Sequence, residues 1–409
     1  MNDAGQGPLK GITVLEVAEW IMVPGAAGIL SDWGARVIKV EHAVRGDAAR
    51  GLNAGDGQSF RSRHFVHNAN RGKQSIGIDL STVDGREVLL RIAEESDVFL
   101  THLLPDARKK LRIDVDDLRD RNPRIVYAKG SGVGPRGEEA NSRGYDFAQF
   151  WARAGVGLTF HNPGLEYPLA SNAQFGDLIS ATVLAGGIAA GIVQRDRSGS
   201  PPVVDVSLLA VGAWTVCQDI ILATANETML PLAATDRHKM PNPLTNLFRT
   251  ADNRFLSFVL LQSDRYWPEF CSRLQAPELL ADARYCDAGS RASYSDELIR
   301  DLDAIFSSLT LAEWRGRLSG STFAWAVYQT PGEVANDPQM IANDYIVPVI
   351  DASGSTAPPH LIATPVQFDE RSPIPRRAPE HAEHTESILL EMGYDWEQIS
   401  ELRQRSAVT

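Results

Sequence analysis

The chain is poor in cysteine, in uninterrupted apolar runs and in net positive charge. Each shortage removes a class of protein. Among its 409 residues there are three cysteines, Cys217, Cys271 and Cys286, with no CxxC pair. A disulfide framework is excluded, and the three read as free thiols of a reducing, cytoplasmic compartment. No clustered His, Cys and Asp set has metal-ligand spacing, so no metal is expected. No run of about 18 apolar residues occurs, and the richest stretch, 178–193, is short and full of Gly and Ala, so no membrane span is expected. The start, MNDAGQGPLKG, has no basic stretch followed by an apolar one, and no secretory leader is expected. Forty Lys and Arg against 52 Asp and Glu leave a net charge of −12, which argues against nucleic acid held by bulk electrostatics. An anionic ligand would need local cations or helix N-termini. The glycine run GSGVGP at 130–135 lacks GxGxxG spacing and places Pro135 where a helix should open, so it is no dinucleotide fingerprint. There is no internal repeat, low-complexity tract or heptad pattern.

What is present is a soluble composition, 43% hydrophobic and 22% charged, long enough for two or three domains. GITVLEV (11–17) reads as a buried strand. A helix follows from Pro24 to Gly34, and RVIKVE (36–41) is the next strand. That βαβ unit predicts a parallel sheet. Residues 42–75 are polar and rich in Gly and Arg, an irregular loop of the kind that carries sites. Strands follow at 75–80, 97–100, 124–129 and 203–207, with helices at 83–95, 115–119 (capped by Asp114), 147–158 and 208–223. Composition shifts near 225–246. A hairpin is expected at 248–258, turning at Asp252-Asn253, with helices at 266–274, 295–307 and 311–318 forming a smaller α+β region. A loop-heavy tail from about 330 leads to helices at 383–392 and 395–403.

One stretch stands out: SNAQFGDLISATVLAGGIAAGIVQR, 171–195. Asp177 is placed as the N-cap or a first-turn residue of a buried helix, where its charge is favoured by the helix dipole. Gly186, Gly187 and Gly191, with Ala185, Ala189 and Ala190, predict a smooth surface for close packing. A mid-helix Gly costs roughly 0.5–1 kcal/mol against Ala.

Five blocks together resemble the class III CoA-transferases, a family that includes formyl-CoA and carnitine CoA-transferases and α-methylacyl-CoA racemases. They are GITVLEV through PGAAGILSDWGARVIKVE (11–41), NRGKQSIGIDL (70–80), RNPRIVYAKGSGVGPRG with RGYDFAQ (121–149), GDLISATVLAGGIAAGIVQRDRSGSPPVVDVSLL (176–209) and EHAEHTESILLEMGY (380–394). The resemblance implies an α/β fold, with a Rossmann-like large domain in 1–225, a smaller α+β domain in 226–330 and a C-terminal segment, 331–409, returning to the large domain. Two such chains would interlock as a dimer. Asp177 would be the catalytic carboxylate, passing through mixed-anhydride and aspartyl-CoA intermediates with coenzyme A entering as acyl-CoA.

Residues matching the family's CoA contacts are His42, Arg71, Lys73 and Lys110, with Ile21 and Met22 lining the pocket. Tyr145 stands where the racemases carry their His, and a phenol is a poor base at neutral pH. This favours transfer over racemisation; a racemase, or a CoA-binding subunit of a heteromeric transferase, are the alternatives. His42 replaces a more usual Arg, Val23 replaces a Gly, and His102-Leu103-Leu104-Pro105-Asp106 departs from the family's Asn-Phe-Arg-Pro-Gly. The mobile glycine loop of formyl-CoA transferase has no counterpart, and Gln262–Arg265 stands in that region. Phe150, Trp151 and Phe160 hint at a bulky hydrophobic acid.

Overall fold

The computed structural model describes residues 7–51, 59–161, 164–168, 174–226, 236–351 and 357–409. The chain divides into two compact units. Met1–His161, Tyr167–Leu230 and Pro338–Thr409 form the first; Asn162–Glu166 and Pro231–Asp337 form the second.

The first unit is built on six parallel strands: β1 (Thr13–Val17), β2 (Arg36–Glu41), β3 (Gln74–Gly77), β4 (Val98–Thr101), β5 (Val126–Ser131) and β6 (Val203–Ser207). Their order is β3-β2-β1-β4-β5-β6, the doubly wound Rossmann arrangement, with its reversal of direction between β1 and β4. The strands alternate strictly. Val14, Val37, Val98, Leu100, Val126 and Ala128 point to one face, which packs on helices Met22–Asp32 and Phe175–Ser198. Leu15, Ile38, Val40, Phe99 and Tyr127 point to the other face, which is covered by helix Val83–Glu94 and by Ile388, Leu389 and Ile399 of the two C-terminal helices.

Helix Phe175–Ser198 buries Ala181, Leu184, Ala185, Ile188 and Ile192 at three- and four-residue intervals. Truncating one of its buried leucines or isoleucines to Ala would cost about 2–5 kcal/mol. Its 24 residues would suffice in length and composition to cross a membrane, but its buried face belongs to the core of this unit. Gly191 is pressed against Val204, Pro202 and Val126, whereas Gly186 faces open space, so only part of the expected smooth surface is used in the chain itself.

Three expectations change in this unit. The segment 42–75 is not irregular throughout, because Ser59–Asn70 is a helix. Its sequence has no apolar period. It is placed by packing: Ala69 and Asn70 are buried, and Gly28 lets the Ala69 carbonyl come where a side chain would stand. The helix expected at 147–158 is a π-helix, Asp146–Arg153, followed by a short turn, Val156–Thr159. The helix expected at 208–223 is two pieces, Leu208–Thr215 and Cys217–Asn226, bent by 77°. At the break the Thr215 hydroxyl donates back to the Gly212 carbonyl at 2.7 Å, a bond of the kind that bends helices.

The second unit has a three-stranded antiparallel sheet, β7 (Thr245–Arg249), β8 (Phe255–Val259) and β9 (Ala324–Val327). β7 and β8 form the expected hairpin, with Asn253 at φ 57 in its turn. The third strand is apolar but short, and alternation over four residues left no signal. The core joins Phe248, Phe258, Phe270, Phe306 and Trp314, with Phe248 and Phe306 stacked at 4.6 Å.

Candidate active site

At the point where strand order reverses, two loops leave the carboxyl ends of β1 and β4, the place where doubly wound sheets bind ligands. Beneath it lies a set of buried charges that the register itself assembles. Glu16 pairs with Lys39 across β1 and β2, and Lys39 pairs with Ser75 across β2 and β3. Lys39 Nζ lies 3.0 Å from Glu16 and 2.8 Å from Asp47, and donates to the Ala18 carbonyl at 2.6 Å. Lys73 Nζ donates to Glu16 at 2.6 Å, to the Pro24 carbonyl at 2.8 Å and to Asn70 at 2.9 Å. Arg50 holds Glu41 through two bonds of 2.8 Å, and the Ser75 hydroxyl donates to the same carboxylate at 2.7 Å.

Three carboxylates, Glu16, Glu41 and Asp47, thus meet three cations, Lys39, Lys73 and Arg50. Burial pushes the Glu41 carboxyl up, but Arg50, Lys39 and Ser75 outweigh it and take its pKa down to about 2. Burial opposes the charge of Lys39 too, yet Glu16, Asp47 and Glu41 hold its pKa above the ordinary lysine value. Lys73 goes the other way: burial, helped by repulsion from Lys39, brings it down to about 8. His102, just past β4, is held neutral, with burial and then Lys39 lowering its pKa to about 4. Its Nδ1 accepts the Glu19 amide at 3.3 Å.

The second half of the site is the start of helix Phe175–Ser198. Its N-cap residue, Gln174, sits at φ 44 and makes no side-chain cap. Asp177 is in the first turn and does not cap either. The exposed amides meet a carboxylate from elsewhere: Asp146 accepts the Gly176 amide at 3.2 Å and lies against the amides of Phe175 and Asp177. Such N–H groups have no partner within a helix, and the helix dipole favours an anion there. Gly176 is required by this approach, since a Cβ would stand 2.4 Å from the Asp146 carboxylate and 2.3 Å from the Phe150 ring. Asp146 is delivered by a second close contact, Gly132 against Gly144, where a Cβ on either would stand within 2.6 Å of the other's Cα.

Among the described residues neither Asp146 nor Asp177 forms an ion pair. Burial, and then the neighbouring Asp146 charge, push the Asp177 carboxyl up to about 7. Asp146 is itself raised by burial, against the pull of the amides. Phe150 and Trp151 pack on Phe175 at 6.2 and 5.4 Å, giving the helix start an aromatic neighbourhood. Tyr145 is half exposed, and the ring of Trp20 meets it edge-on at 6.0 Å. Trp20 has φ 71, a conformation that costs a bulky residue of order 1–3 kcal/mol.

The sequence-derived binding residues divide. Ile21 and Met22 are buried at the start of the helix that follows β1, with Met22 packed among Phe150, Ala154, Val156 and Leu208. Lys110 is exposed on helix Pro105–Leu111. His42 uses its ring nitrogen to accept the Val44 and Arg45 amides at 3.1 and 3.3 Å, closing a turn. Lys73 is turned inward, its three donors taken as described. Arg71 is buried against Asp32 at 2.9 Å, and it donates to Asn68 and to the Ile362 carbonyl. Both therefore act inside the fold in this structure. Phe160 is exposed. Sequence reading passed over Asp146, Asp47, Lys39 and Glu16. The signal was there for two of them, since Glu16 is the one charge in β1 and Lys39 stands among Val37, Ile38 and Val40.

The chain belongs to CoA-transferase family III, whose family model matches residues 9–385. It is a CoA-transferase of the acyl-CoA:carboxylate kind. It is 28% identical over 407 residues to the (R)-2-hydroxy-4-methylpentanoate CoA-transferase of Clostridioides difficile, covering 98% of this chain and 99% of that one. It is 28% identical to the cinnamoyl-CoA:phenyllactate CoA-transferase of Clostridium sporogenes, covering 97% and 96%. The crystal structure of Rv3272 from Mycobacterium tuberculosis superposes with a TM-score of 0.79 at 27% identity, covering 93% of this chain and 99% of that one.

Proposed function

We propose that this chain moves CoA from an acyl-CoA to a free carboxylic acid by covalent catalysis on Asp177. An Asp177 oxygen attacks the thioester carbonyl and the C–S bond breaks, giving a mixed anhydride and CoA thiolate. The thiolate attacks the Asp177 carbonyl and expels the first acid as its carboxylate, leaving an aspartyl-CoA thioester. The acceptor carboxylate then attacks that thioester, and the same two steps in reverse release the new acyl-CoA and free Asp177. No electrons are gained or lost.

The observation that carries this reading is a carboxyl with a pKa near 7 and no cation partner among the described residues, set at a helix start. Once ionised it is a more basic nucleophile than an ordinary aspartate. Thiolate attack at the Asp177 carbonyl expels the substrate acid and leaves CoA on the enzyme. Backbone amides near the site would stabilise the oxyanions; removing one such donor typically costs about 10²–10³ in rate.

Phe150, Trp151 and Phe175 beside the carboxylate suit a donor or acceptor with an apolar or aromatic body. The partners of the CoA phosphates are assigned to the solvent-reaching candidates, Lys110 by its charge and His42 as a neutral donor through its other ring nitrogen, over Lys73 and Arg71, whose donors are engaged. Pairing of two copies is part of the same reading. Leu178, Val183 and Val193 leave an apolar stripe on the Asp177 helix, and Trp214, 77% exposed, and Ile221, 62% exposed, follow it.

The test is mass spectrometry of the purified protein quenched after mixing with a panel of acyl-CoAs. An acyl or CoA adduct on the Asp177 peptide, absent in Asp177→Ala, is expected. A bare peptide across the panel with CoA binding intact would remove covalent transfer.

A further inference from the structure

Trp20 lies in the loop between β1 and helix Met22–Asp32, at the reversal point of the sheet, and holds a backbone conformation that bulky side chains avoid. It is gripped from two sides. Its amide donates to Asp47 Oδ1 at 3.1 Å, and its ring meets Tyr145 at 6.0 Å with the planes 85° apart.

Asp47 is itself held at both carboxylate oxygens and at its amide. Its Oδ2 lies 2.8 Å from Lys39, its Oδ1 also accepts the Ala49 amide at 2.8 Å, and its own amide donates to Glu41 at 2.9 Å. Lys39 reaches from Asp47 to the Ala18 carbonyl, two residues before Trp20, so one ammonium ties the loop to β1 and to Asp47. Tyr145 immediately precedes Asp146, the carboxylate that covers the start of the Asp177 helix. The contacts therefore run in series: Lys39, Asp47, Trp20, Tyr145, Asp146, Gly176. A buried ion pair needs only its counter-charge. An acceptor aimed at the amide of a residue held at φ 71 does something more specific.

We propose that Asp47 is a positioning residue for CoA transfer: locked by Lys39, it holds Trp20 in the left-handed conformation, so that the Trp20 ring braces Tyr145 and with it the carboxylate cap of the Asp177 helix. Its kinetic consequence rests on the reading of Asp177 as the nucleophile.

The experiment has two arms, both on the full chain. In the first, the eight tryptophans are labelled as 5-fluorotryptophan, and the ¹⁹F resonance of Trp20 is assigned by its loss in Trp20→Phe. Asp47→Ala is expected to shift or broaden that resonance and leave the other seven in place. Asp47→Glu, which keeps the charge but moves the carboxylate by one methylene, covers the case in which the alanine variant fails to fold, and it should move the same single resonance. A Trp20 signal unchanged in the folded variant overturns the proposal. This arm uses no substrate, so it stands whether or not Asp177 forms an adduct.

The second arm follows the single-turnover rate of adduct formation with a donor that labels the wild type. Asp47→Ala should slow it by about tenfold to a hundredfold, the cost of a misplaced reacting group, with little change in half-saturating donor. Asp47→Asn, which keeps an acceptor oxygen for the Trp20 amide but loses the charge that Lys39 holds, should recover part of the rate. On the background Trp20→Gly, which adopts φ 71 without strain and has no ring, Asp47→Ala should cost less than about twofold, the sign of two residues acting through one contact. Equal slowing on both backgrounds would show that Asp47 acts through general folding and would overturn the assignment.

Discussion

Glu41 and Asp177 are both carboxylates withdrawn from water in the same unit, yet they end at opposite extremes. Glu41 is taken down to about 2 and Asp177 is pushed up to about 7. Burial acts on both in the same direction. The difference is the neighbours. Around Glu41, acids and bases from β1, β2 and the segments beside them interleave, and every charge has a partner. At the helix start the nearest charge to Asp177 is a second carboxylate, Asp146. One region uses burial to fix structure; the other uses it to keep a group near its ionisation point.

The two regions therefore respond oppositely to pH. A carboxyl whose folded pKa is lowered adds stability above its ordinary value, lost as pH falls through the folded one. Glu41 should thus contribute above about 4.5 and fail towards about 2. Asp177 is raised, so the folded state holds its proton more tightly, and stability drains as pH climbs from 3.8 through about 7.

The largest effect should come from removing the unpaired member. Asp177→Ala is expected to lower the rate of CoA transfer by more than about 10³-fold, because the covalent route is lost; steady-state transfer with an accepted donor measures it. Breaking the balanced region should instead cost stability. Glu16→Gln leaves two buried ammonium groups short of a counter-charge and should destabilise by about 3–5 kcal/mol in urea unfolding. A loss under 1 kcal/mol would mean that water reaches the cluster. The contrast sharpens with Asp177→Asn, which should gain up to about 4 kcal/mol at pH 8, where wild type must carry the charge, and nothing near pH 3, where it does not. Thermal unfolding at the two pH values decides this. The smallest effect is a displacement. Adduct formation should rise with pH and level off above about 7, and Asp146→Asn, which keeps an acceptor for the Gly176 amide but removes a charge, should move that midpoint to lower pH. An unmoved midpoint would leave burial as the whole cause.

Much of the architecture was legible in the residues because its causes are local. Alternating apolar strands and intervening helices declare a parallel α/β sheet, and strands β1, β2, β5 and β6 lie where periodicity puts them. Asp177 was visible through its Gly-Asp block, and the structure explains the glycine, since Asp146 occupies the room a side chain would need. Helix Ser59–Asn70 was invisible because packing places it, and the short strand β9 because four residues carry too little alternation.

The sequence by itself determined that this chain folds as a class III CoA-transferase, with one carboxylate at the head of a small-residue helix. Tertiary structure alone decided what each charge does. A lysine near a Gly-rich turn reads as a ligand for phosphate, yet Lys73 is spent on Glu16, Asn70 and a carbonyl. An aspartate beside a tyrosine reads as part of a motif, yet Asp146 raises the pKa of a residue thirty-one positions away. Charge interactions fall off with distance in space and rise steeply with burial, and neither quantity is written along the chain.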